Sequence, residues 1–475
     1  MMSSFSIEIF LAVVGVLLIA LDAFATELNR KVVPWAAIGA TGLALILMLT
    51  RSTDIPAWIT PFYATDSLAV FYKVFALVTT LIVLVIALEG DFVTAFFSSS
   101  EGVKTRIGEF YALPLIVCAG MMWMASAKDL VAFFVPLELV TVSFYVLVAF
   151  TRRSALSLEA GVKYLILGAL STGILVFGIA WVYGATGSLS FEGIAAAAVN
   201  PNTNAMALML GAALLLVGLG FKVGAAPFQI WIPDVYQGAP TPVTAFLSVG
   251  SKAAGFVVLT RAVQALTVNG SQVGTQVTNA LLAAAALTIL LGSLPAIFQT
   301  NVKRLLAYSS ISHAGFMVLA LACGASGTVA FYMGTYLPAT LLGFLLLVVL
   351  RTQGVGEELK DLAGLSKRAP LLAFALAVAF ASMAGLPLTA GFMGKLLVFV
   401  AAVSKAHYGV VALAVIGAAA GFYYYFRPIL AAYSPVEGEA TKIHVSPVAR
   451  VTVVVLILGV VAIGVYPKLL QSVLK

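Results

Sequence analysis

Apolar runs of about 20 residues, the length needed to cross roughly 30 Å of hydrocarbon, recur along the whole chain with only short polar breaks between them. They predict about fourteen spans, at 5–25, 33–50, 68–88, 110–126, 130–150, 160–184, 204–236, 241–265, 278–298, 303–323, 327–351, 371–404, 408–433 and 448–467. The expected fold is all-α and integral to the membrane, one polytopic domain over residues 1–475. Two spans carry helix breakers at mid-depth. The seventh holds Gly220-Phe221-Lys222-Val223-Gly224-Ala225-Ala226-Pro227, then Trp231-Ile232-Pro233-Asp234, and the twelfth holds Gly385-Leu386-Pro387, then Gly391-Phe392-Met393-Gly394-Lys395. Proline removes a backbone donor and clashes with the preceding turn, and glycine eases an unwound segment. Irregular backbone at this depth is tolerated only where protein buries it or a wet cavity adjoins it. The breaks lie five spans apart, each beside a lysine, which predicts two five-helix repeats at 110–265 and 278–433. An odd repeat length forces inverted topology, the architecture in which coupling sites sit near the midplane.

Composition sharpens the class. Of 475 residues, 62% are hydrophobic and 9% charged, against about 25% charged in globular proteins. That excludes a soluble protein. The net charge of +7 would suggest nucleic acid in a soluble chain, but here the basic residues lie in short loops or within spans. With the N-terminus outside, the cytoplasmic loops hold Arg30, Lys31, Lys104, Arg106, Arg152, Arg153, Lys303, Arg304, Arg351, Lys360, Lys367, Arg368, Arg427, Lys442 and Arg450. The opposite side holds only Arg51, Lys128, Arg261, Lys405, Lys468 and Lys475, so the positive-inside rule selects this orientation and places both termini outside. The stretch from Ile9 to Leu21 followed by Ala23-Phe24-Ala25 imitates a signal peptide. No basic residue precedes it, however, Glu8 stands at its start and Arg30 and Lys31 follow, so a retained first helix is expected.

The remaining basic residues, Lys73, Lys163, Lys222, Lys252 and Lys395, fall inside spans. A lysine in hydrocarbon costs at least a few kcal/mol and is a functional candidate by default. Glu138 lies about 13 Å into the fifth span, counted at 1.5 Å per residue. An unpaired carboxylate there would take up a proton, so it is expected either as a protonated hydrogen-bonding group or in a pair with Lys222 at the first break. Lys252 is near mid-span, flanked by small residues that permit close helix approach. His313, also mid-span, is either a proton relay between lysines or a satisfied core residue. Lys395, at the second break, would end a chain running from Lys222 through Lys252 and His313. Lys163 has Glu159 four residues before it, the order of a boundary ion pair. Lys73 has no evident partner and no assigned role.

Other chemistry is not encoded. Cys118 and Cys323 stand alone, with no Cys/His cluster for zinc, haem iron or an iron–sulfur cluster. The run from Gly391 to Lys395 imitates a phosphate loop, but Thr389 replaces the first glycine and Leu396 the Ser or Thr that would hold Mg²⁺. No cofactor site is expected in this chain.

Leu137-Glu138-Leu139, Glu159-Ala160-Gly161-Val162-Lys163-Tyr164 with Tyr183-Gly184-Ala185-Thr186-Gly187, Phe221-Lys222-Val223 through Pro227-Phe228, Trp231-Ile232-Pro233-Asp234-Val235-Tyr236, and Ala239-Pro240-Thr241-Pro242-Val243 resemble the antiporter-like subunits of respiratory complex I. Tyr308-Ser309-Ser310-Ile311-Ser312-His313 and Gly385-Leu386-Pro387 extend the likeness, which covers at least residues 110–430. Within that family the chain looks most like the subunit N type, the counterpart of mitochondrial NADH dehydrogenase subunit 2. Lys163 stands in the Glu-Ala-x-x-Lys-Tyr setting, the twelfth span carries a lysine rather than a glutamate, and no long C-terminal helix follows. The resemblance implies fourteen helices with two inverted five-helix bundles and proton transfer driven by quinone reduction elsewhere in the complex. It also implies a bacterial inner membrane and neighbouring antiporter-like subunits as partners. Glu138 and Lys222 match the family's coupling pair, Lys252 and His313 its connecting residues, Lys395 its exit-side residue, and Lys163 gains a coupling role. NADH, FMN, iron–sulfur clusters and quinone would belong to partner subunits. The main rival is a subunit of a multisubunit Na⁺/H⁺ antiporter, and a non-transporting scaffold is the third option.

Overall fold

The structure, a computed structural model, describes residues 3–24, 29–52, 55–89, 108–435 and 442–472. The side chains of Arg30 and Lys31, and all of Ala25, Lys104, Arg106 and Lys475, which enter the readings above, lie outside the described residues. The elements are α1 (Ser4–Phe24), α2 (Asn29–Leu49), α3 (Ser67–Leu88), α4 (Gly108–Ser126), α5 (Leu130–Val148), α6 (Ala155–Thr186), α7 (Ala205–Val223) and the short α8 (Ile232–Gly238). They continue with α9 (Thr241–Leu266), α10 (Gly274–Ala296), α11 (Val302–Ala322), α12 (Ser326–Thr352), α13 (Pro370–Ala384), α14 (Ala390–Ser404), α15 (Tyr408–Tyr433) and α16 (Pro447–Val465). Among the described residues 13 helices are long and apolar enough to cross a membrane. The 15-residue α13 and α14 make up a further span in two pieces, as the twelfth apolar run predicts.

Helix starts follow from side chains that accept the orphan N–H groups of a first turn. Asp66 caps α3, Asp129 caps α5 through Val131 and Ala132, Ser154 caps α6, Asn204 caps α7 and Asn301 caps α11. At α6 the expected boundary moves outward: the helix has 32 residues, about 48 Å at 1.5 Å each, and so exceeds the hydrocarbon thickness. Lys163, nine residues in, therefore need not lie deep.

The helices divide by what surrounds them. The most apolar stretches of α9 and α12 are wholly buried and that of α11 almost so, whereas α6, α15 and α16 turn most of their surface outward. Lipid and protein core are equally apolar, so burial is not what selects an inward face; polar side chains are, because they cannot face lipid. The central helices carry Thr241, Thr244, Ser248, Lys252, Ser309, Ser310, Ser312, His313, Thr335 and Thr340, all buried. On the outer flank, Asp66 pairs with Arg261 at 2.9 Å and ties the start of α3 to α9. Burial disfavours the Asp66 charge, but the Arg261 guanidinium outweighs it and holds the carboxyl below the ordinary carboxylate range.

Close helix approach rests on glycine. A Cβ at Gly315 on α11 would lie 2.7 Å from the Ile289 backbone nitrogen of α10, and one at Gly292 on α10 would collide with the Ser312 backbone in return. Backbones this near allow Ser293 and Ser312 to bond at 2.9 Å across the seam. Gly315→Val should abolish accumulation of the folded protein, while Gly42→Val, with nothing within 4 Å of the added carbon, should leave it within about twofold. Membrane immunoblots and thermal unfolding of the purified protein check this, and equal yields from the two variants would refute it.

Candidate functional site

The first break is made by local chemistry. Gly224 ends α7 in the left-handed conformation, at φ +78°, and Gly220 and Phe221 carbonyls accept its N–H. The chain then turns through a cis Ala226–Pro227 bond to a 3₁₀ turn at Gln229–Trp231 and on into α8. Backbone groups freed inside a membrane must find partners. The Ala226 N–H donates to Thr288 Oγ1 of α10 at 2.8 Å, and the Trp231 indole donates to the Phe221 carbonyl at 3.1 Å.

Lys222 sits in the last turn of α7, buried, and donates to Thr141 Oγ1 of α5. Of the two arrangements expected for Glu138, the direct pair with Lys222 is not formed here and an interhelical hydrogen bond is. Glu138, one turn before Thr141 and half-buried, accepts from Thr172 Oγ1 of α6 at 2.9 Å. A charge on Glu138, one turn from the Thr141 that holds Lys222, would act on that ammonium through space without contact. Across the break, the missing side chain of Gly255 makes room for the Lys222 stem, whose Cγ lies 3.3 Å from where a Cβ would stand. Lys252 Nζ lies 4.0 Å from the corresponding position at Gly224. The break thus sets the Lys222 stem against Gly255 of α9 and the Lys252 ammonium against Gly224.

Lys252 follows a π-helical turn at Leu247–Ser251, a local widening often found at functional sites. Its Nζ donates to the Ser310 carbonyl at 2.6 Å and to Ser310 Oγ. One turn further along α11, His313 has both ring nitrogens engaged, Nδ1 with Tyr332 Oη at 2.7 Å and Nε2 with Tyr425 Oη at 3.0 Å. A neutral imidazole carries one N–H and one lone pair, so one tyrosine donates to it while the other accepts. Tyr425 Oη also bonds Ser309 Oγ.

The second break is the other way round. α13 ends at Gly385, φ +92°, and Lys395 reaches back from α14 to donate to the freed Met383 and Ala384 carbonyls at 2.9 and 2.8 Å. A cation at a helix C-terminus is also favoured by the helix dipole. Lys395 Nζ lies 5.5 Å from the Phe316 ring centre, and Phe316 stacks on Tyr332, which holds His313. Lys222, Lys252 and Lys395 are thus solvated by neutral oxygens, and among the described residues no carboxylate lies within ion-pair distance of any of them.

Lys163 belongs to a different arrangement. Its side chain is 41% exposed and pairs at 2.7 Å with both Glu159 and Asp234, while Arg304 reaches the other Asp234 oxygen at 2.8 Å. The expected boundary pair is present, and Asp234 extends it into a cluster joining α6, α8 and α11. Lys303, expected in a loop, lies buried in the first turn of α11. It donates to the Ala239 carbonyl at 2.8 Å and stands 3.8 Å from Glu357. Both partners line a cavity of 470 Å³ that also meets Asn301, Arg351, Thr151 and Ser154. Lys73, unassigned from the sequence, pairs with Glu8. Sequence reasoning missed Thr141, Ser310, Tyr332 and Tyr425 as partners, and the only signal for them was polar residues inside apolar spans. Among the described residues no group of three or more His, Cys, Asp or Glu side chains could hold a metal.

Residues 127–421 match the family described as NADH:quinone oxidoreductase/Mrp antiporter, transmembrane. The NADH-quinone oxidoreductase subunit N of Desulforamulus reducens is 38% identical over 443 residues, 91% of this chain and 89% of that protein. A chain of respiratory complex I from Thermus thermophilus with bound aureothin superimposes with a TM-score of 0.81 at 34% identity, covering 99% of each chain. A chain of the Mrp complex from Dietzia sp. DQ12-45-1b superimposes equally well, TM-score 0.82 over 99% of this chain and 96% of that one. Its identity is 20%, a likeness of fold alone.

Removing the Tyr425 hydroxyl would strand His313 Nε2 and Ser309 Oγ in the core, at about 1–3 kcal/mol. Tyr425→Phe should therefore lower the unfolding temperature of the purified protein, and Tyr423→Phe, exposed on the same helix, should not. Identical unfolding of the two variants would show that the tyrosine does not hold the imidazole.

Proposed function

The chain belongs to the NADH:quinone oxidoreductase/Mrp antiporter membrane family, and from that membership we propose that it is the subunit N type of the membrane arm of NADH:quinone oxidoreductase, moving protons across the membrane. The observation that carries this reading is the polar row Lys222, Lys252, Ser310, His313, Tyr332 and Lys395 through the buried centre of an apolar protein. NADH, FMN, iron–sulfur clusters and quinone reside on other subunits, and the chain's direct partners are membrane-arm subunits, including neighbouring antiporter-like chains. The protein lies in a bacterial inner membrane with both termini on the periplasmic side, a placement supported by the excess of basic residues in the opposite loops.

Residues 110–265 and 278–433 form two inverted repeats, each holding one broken helix. Support comes from the two left-handed glycines, Gly224 and Gly385, which end α7 and α13 five spans apart.

A lysine in an ion pair keeps its proton through its counter-charge. Lys222, Lys252 and Lys395 have hydroxyl and carbonyl partners instead, so a proton can leave each of them without stranding an anion. Glu138, held by Thr172 beside Lys222, is the charge that biases the first step. Protons reach the row from the cytoplasmic side by the cavity beside Lys303. On α9, the buried Thr241 and Ser248 hydroxyls lie along the face that leads to Lys252, where bridging water would complete the connection. Tyr236 Oη, 3.3 Å from Ser310 Oγ, adjoins the same route. Lys395 releases the proton outside. Lys163 couples the row to its flank through Asp234.

Over a sodium-coupled antiporter, this reading is favoured by the 34% identity to the complex I chain against 20% to the Mrp chain. Mild-detergent purification of the tagged chain should recover flavin and iron–sulfur subunits with NADH:quinone activity, whereas small hydrophobic partners and no redox activity would overturn the assignment. In assembled complexes, Lys222→Ala and Lys395→Ala should lower proton pumping and coupled turnover at least tenfold. Wild-type pumping by either variant would remove that lysine from the path.

A further inference from the structure

An apolar groove runs between α1, α4 and α5 on the outside of the protein, away from the central row. It has a volume of 550 Å³ and is lined by small residues where the three helices meet, Ala12 of α1, Ala119 and Gly120 of α4 and Ala132 of α5. Val131, Val135 and Leu139 of α5 form one wall, and all three are exposed, so the groove opens sideways onto whatever surrounds the protein. The two carboxylates at its edge are already engaged. Glu8 turns inward to Lys73 and Tyr63, at 2.9 and 2.7 Å. Asp129 accepts from the Val131 and Ala132 N–H groups at 2.8 and 2.6 Å.

The depth of the groove and the chemistry of its end identify the occupant. On α5 the lining runs from Asp129 to Leu139, about 15 Å at 1.5 Å per residue, which is one leaflet's share of roughly 30 Å of hydrocarbon. Trp58, Phe62 and Trp123 stand at the Asp129 end, with Trp58 and Phe62 exposed, as in an aromatic belt at headgroup level. Phe5 meets Trp58 and Trp123 edge-on, ring centres 5.6 and 5.5 Å apart, and fixes that end. Beside it Lys128 donates to the Thr60 carbonyl at 3.2 Å, and among the described residues it has no carboxylate within ion-pair distance. An ammonium has three donors, so two remain for an outside acceptor. A cation without a counter-charge, set at headgroup level over an apolar groove one leaflet deep, is complementary to a phosphate with an acyl chain beneath it. Water does not suit the lower groove, whose walls offer it no polar partners.

We infer that this groove is a binding site for a phospholipid of the leaflet on the Lys128 side, with one acyl chain laid between α1, α4 and α5 and the phosphate on the Lys128 ammonium. The chain continues the bilayer into the seam between the first helices and α5, and it packs on the segment that carries Trp58 and Phe62. The site is distinct from bulk lipid in two respects: three helices flank the chain, and a fixed cation holds the headgroup.

The test is photocrosslinking in the assembled complex, with benzoylphenylalanine in place of Val135. After detergent washing, irradiation should still join phospholipid to this position, read by mass spectrometry as a lipid adduct on its peptide. The same probe in place of Leu458, exposed on α16, should lose its lipid adduct in the wash. Lys128→Ala should lower the adduct at Val135 about fivefold, the effect of one basic residue on an anionic headgroup. Crosslinking of Val135 chiefly to another polypeptide would overturn the inference and assign the groove to a partner subunit. Loss of the lipid adduct in the wash, as at Leu458, would leave ordinary bilayer lipid, and an adduct indifferent to Lys128→Ala would remove the phosphate from that lysine. If the Val135 variant does not assemble, Val131 on the same wall carries the probe and decides in the same way.

Discussion

An ammonium inside hydrocarbon must be met by oxygen, and the rest of this protein is arranged around that requirement. An unbroken helix cannot offer a free carbonyl, since its carbonyls are already bonded four residues on, and Ser310 gives Lys252 only a second lone pair beside its hydroxyl. A helix that stops at mid-depth can. α13 stops at Gly385, and the two carbonyls it leaves free are the ones Lys395 uses. Stopping has its own cost in freed N–H groups, which explains why neighbouring helices carry hydroxyls at these heights, Thr288 against Ala226 being the clearest case. Glycine enters twice, as the residue that adopts φ near +80 to +90° at each stop and as the gap at Gly255 that admits the Lys222 stem.

The lysines within the helices then fall into two kinds. Lys73 has a carboxylate within 3 Å, Lys163 has two, and Lys303 has one at 3.8 Å. Lys222, Lys252 and Lys395 have only hydroxyls and carbonyls. In low dielectric this difference outweighs depth or helix position, because a counter-charge a few ångströms away changes the energy of proton loss by several kcal/mol. Burial alone therefore does not sort these lysines. The chemistry of the partner does, and by that measure the three central lysines form one class although they sit on three different helices.

The sequence made the spans, the two breaks and the intramembrane lysines legible, because each is a local signal: apolar run length, glycine and proline inside a run, a cation where none is expected. Partners were much less legible. Glu138 and Lys222 were expected to touch, yet α5 places Thr141 nearer the ammonium and α6 supplies Thr172 to the carboxylate. Nothing in one dimension predicts which of two groups a turn apart on α5 faces α7. Glu8 was visible only as an oddity at the start of the first span, and Lys73 had no partner within its own motif. Their pairing joins residues 65 positions apart on helices separated by α2. Tyr332 and Tyr425, which hold His313, were indistinguishable in sequence from the other aromatic residues of apolar spans.

A row of cations without counter-ions also transmits information without large motion. Two charges about 10 Å apart at an effective dielectric of about 20 repel by about 1.7 kcal/mol, more than a tenfold change in a proton equilibrium. Charging Lys222 therefore weakens the hold of Lys252 on its proton, and charging Lys252 does the same to the groups beyond it. His313 suits the middle of such a row because both its nitrogens already face hydroxyls. On the proposed proton path, a proton gained on one side would be matched by one lost on the other through reorientation of Tyr332 and Tyr425, with no helix displaced. Ion pairs would suppress this coupling, since each counter-charge would screen its lysine from the next. Among the described residues the direct partners of the three central lysines are neutral, while those of Lys73, Lys163 and Lys303 include carboxylates: paired lysines fix the helices, and unpaired ones let a charge at one end be felt at the other.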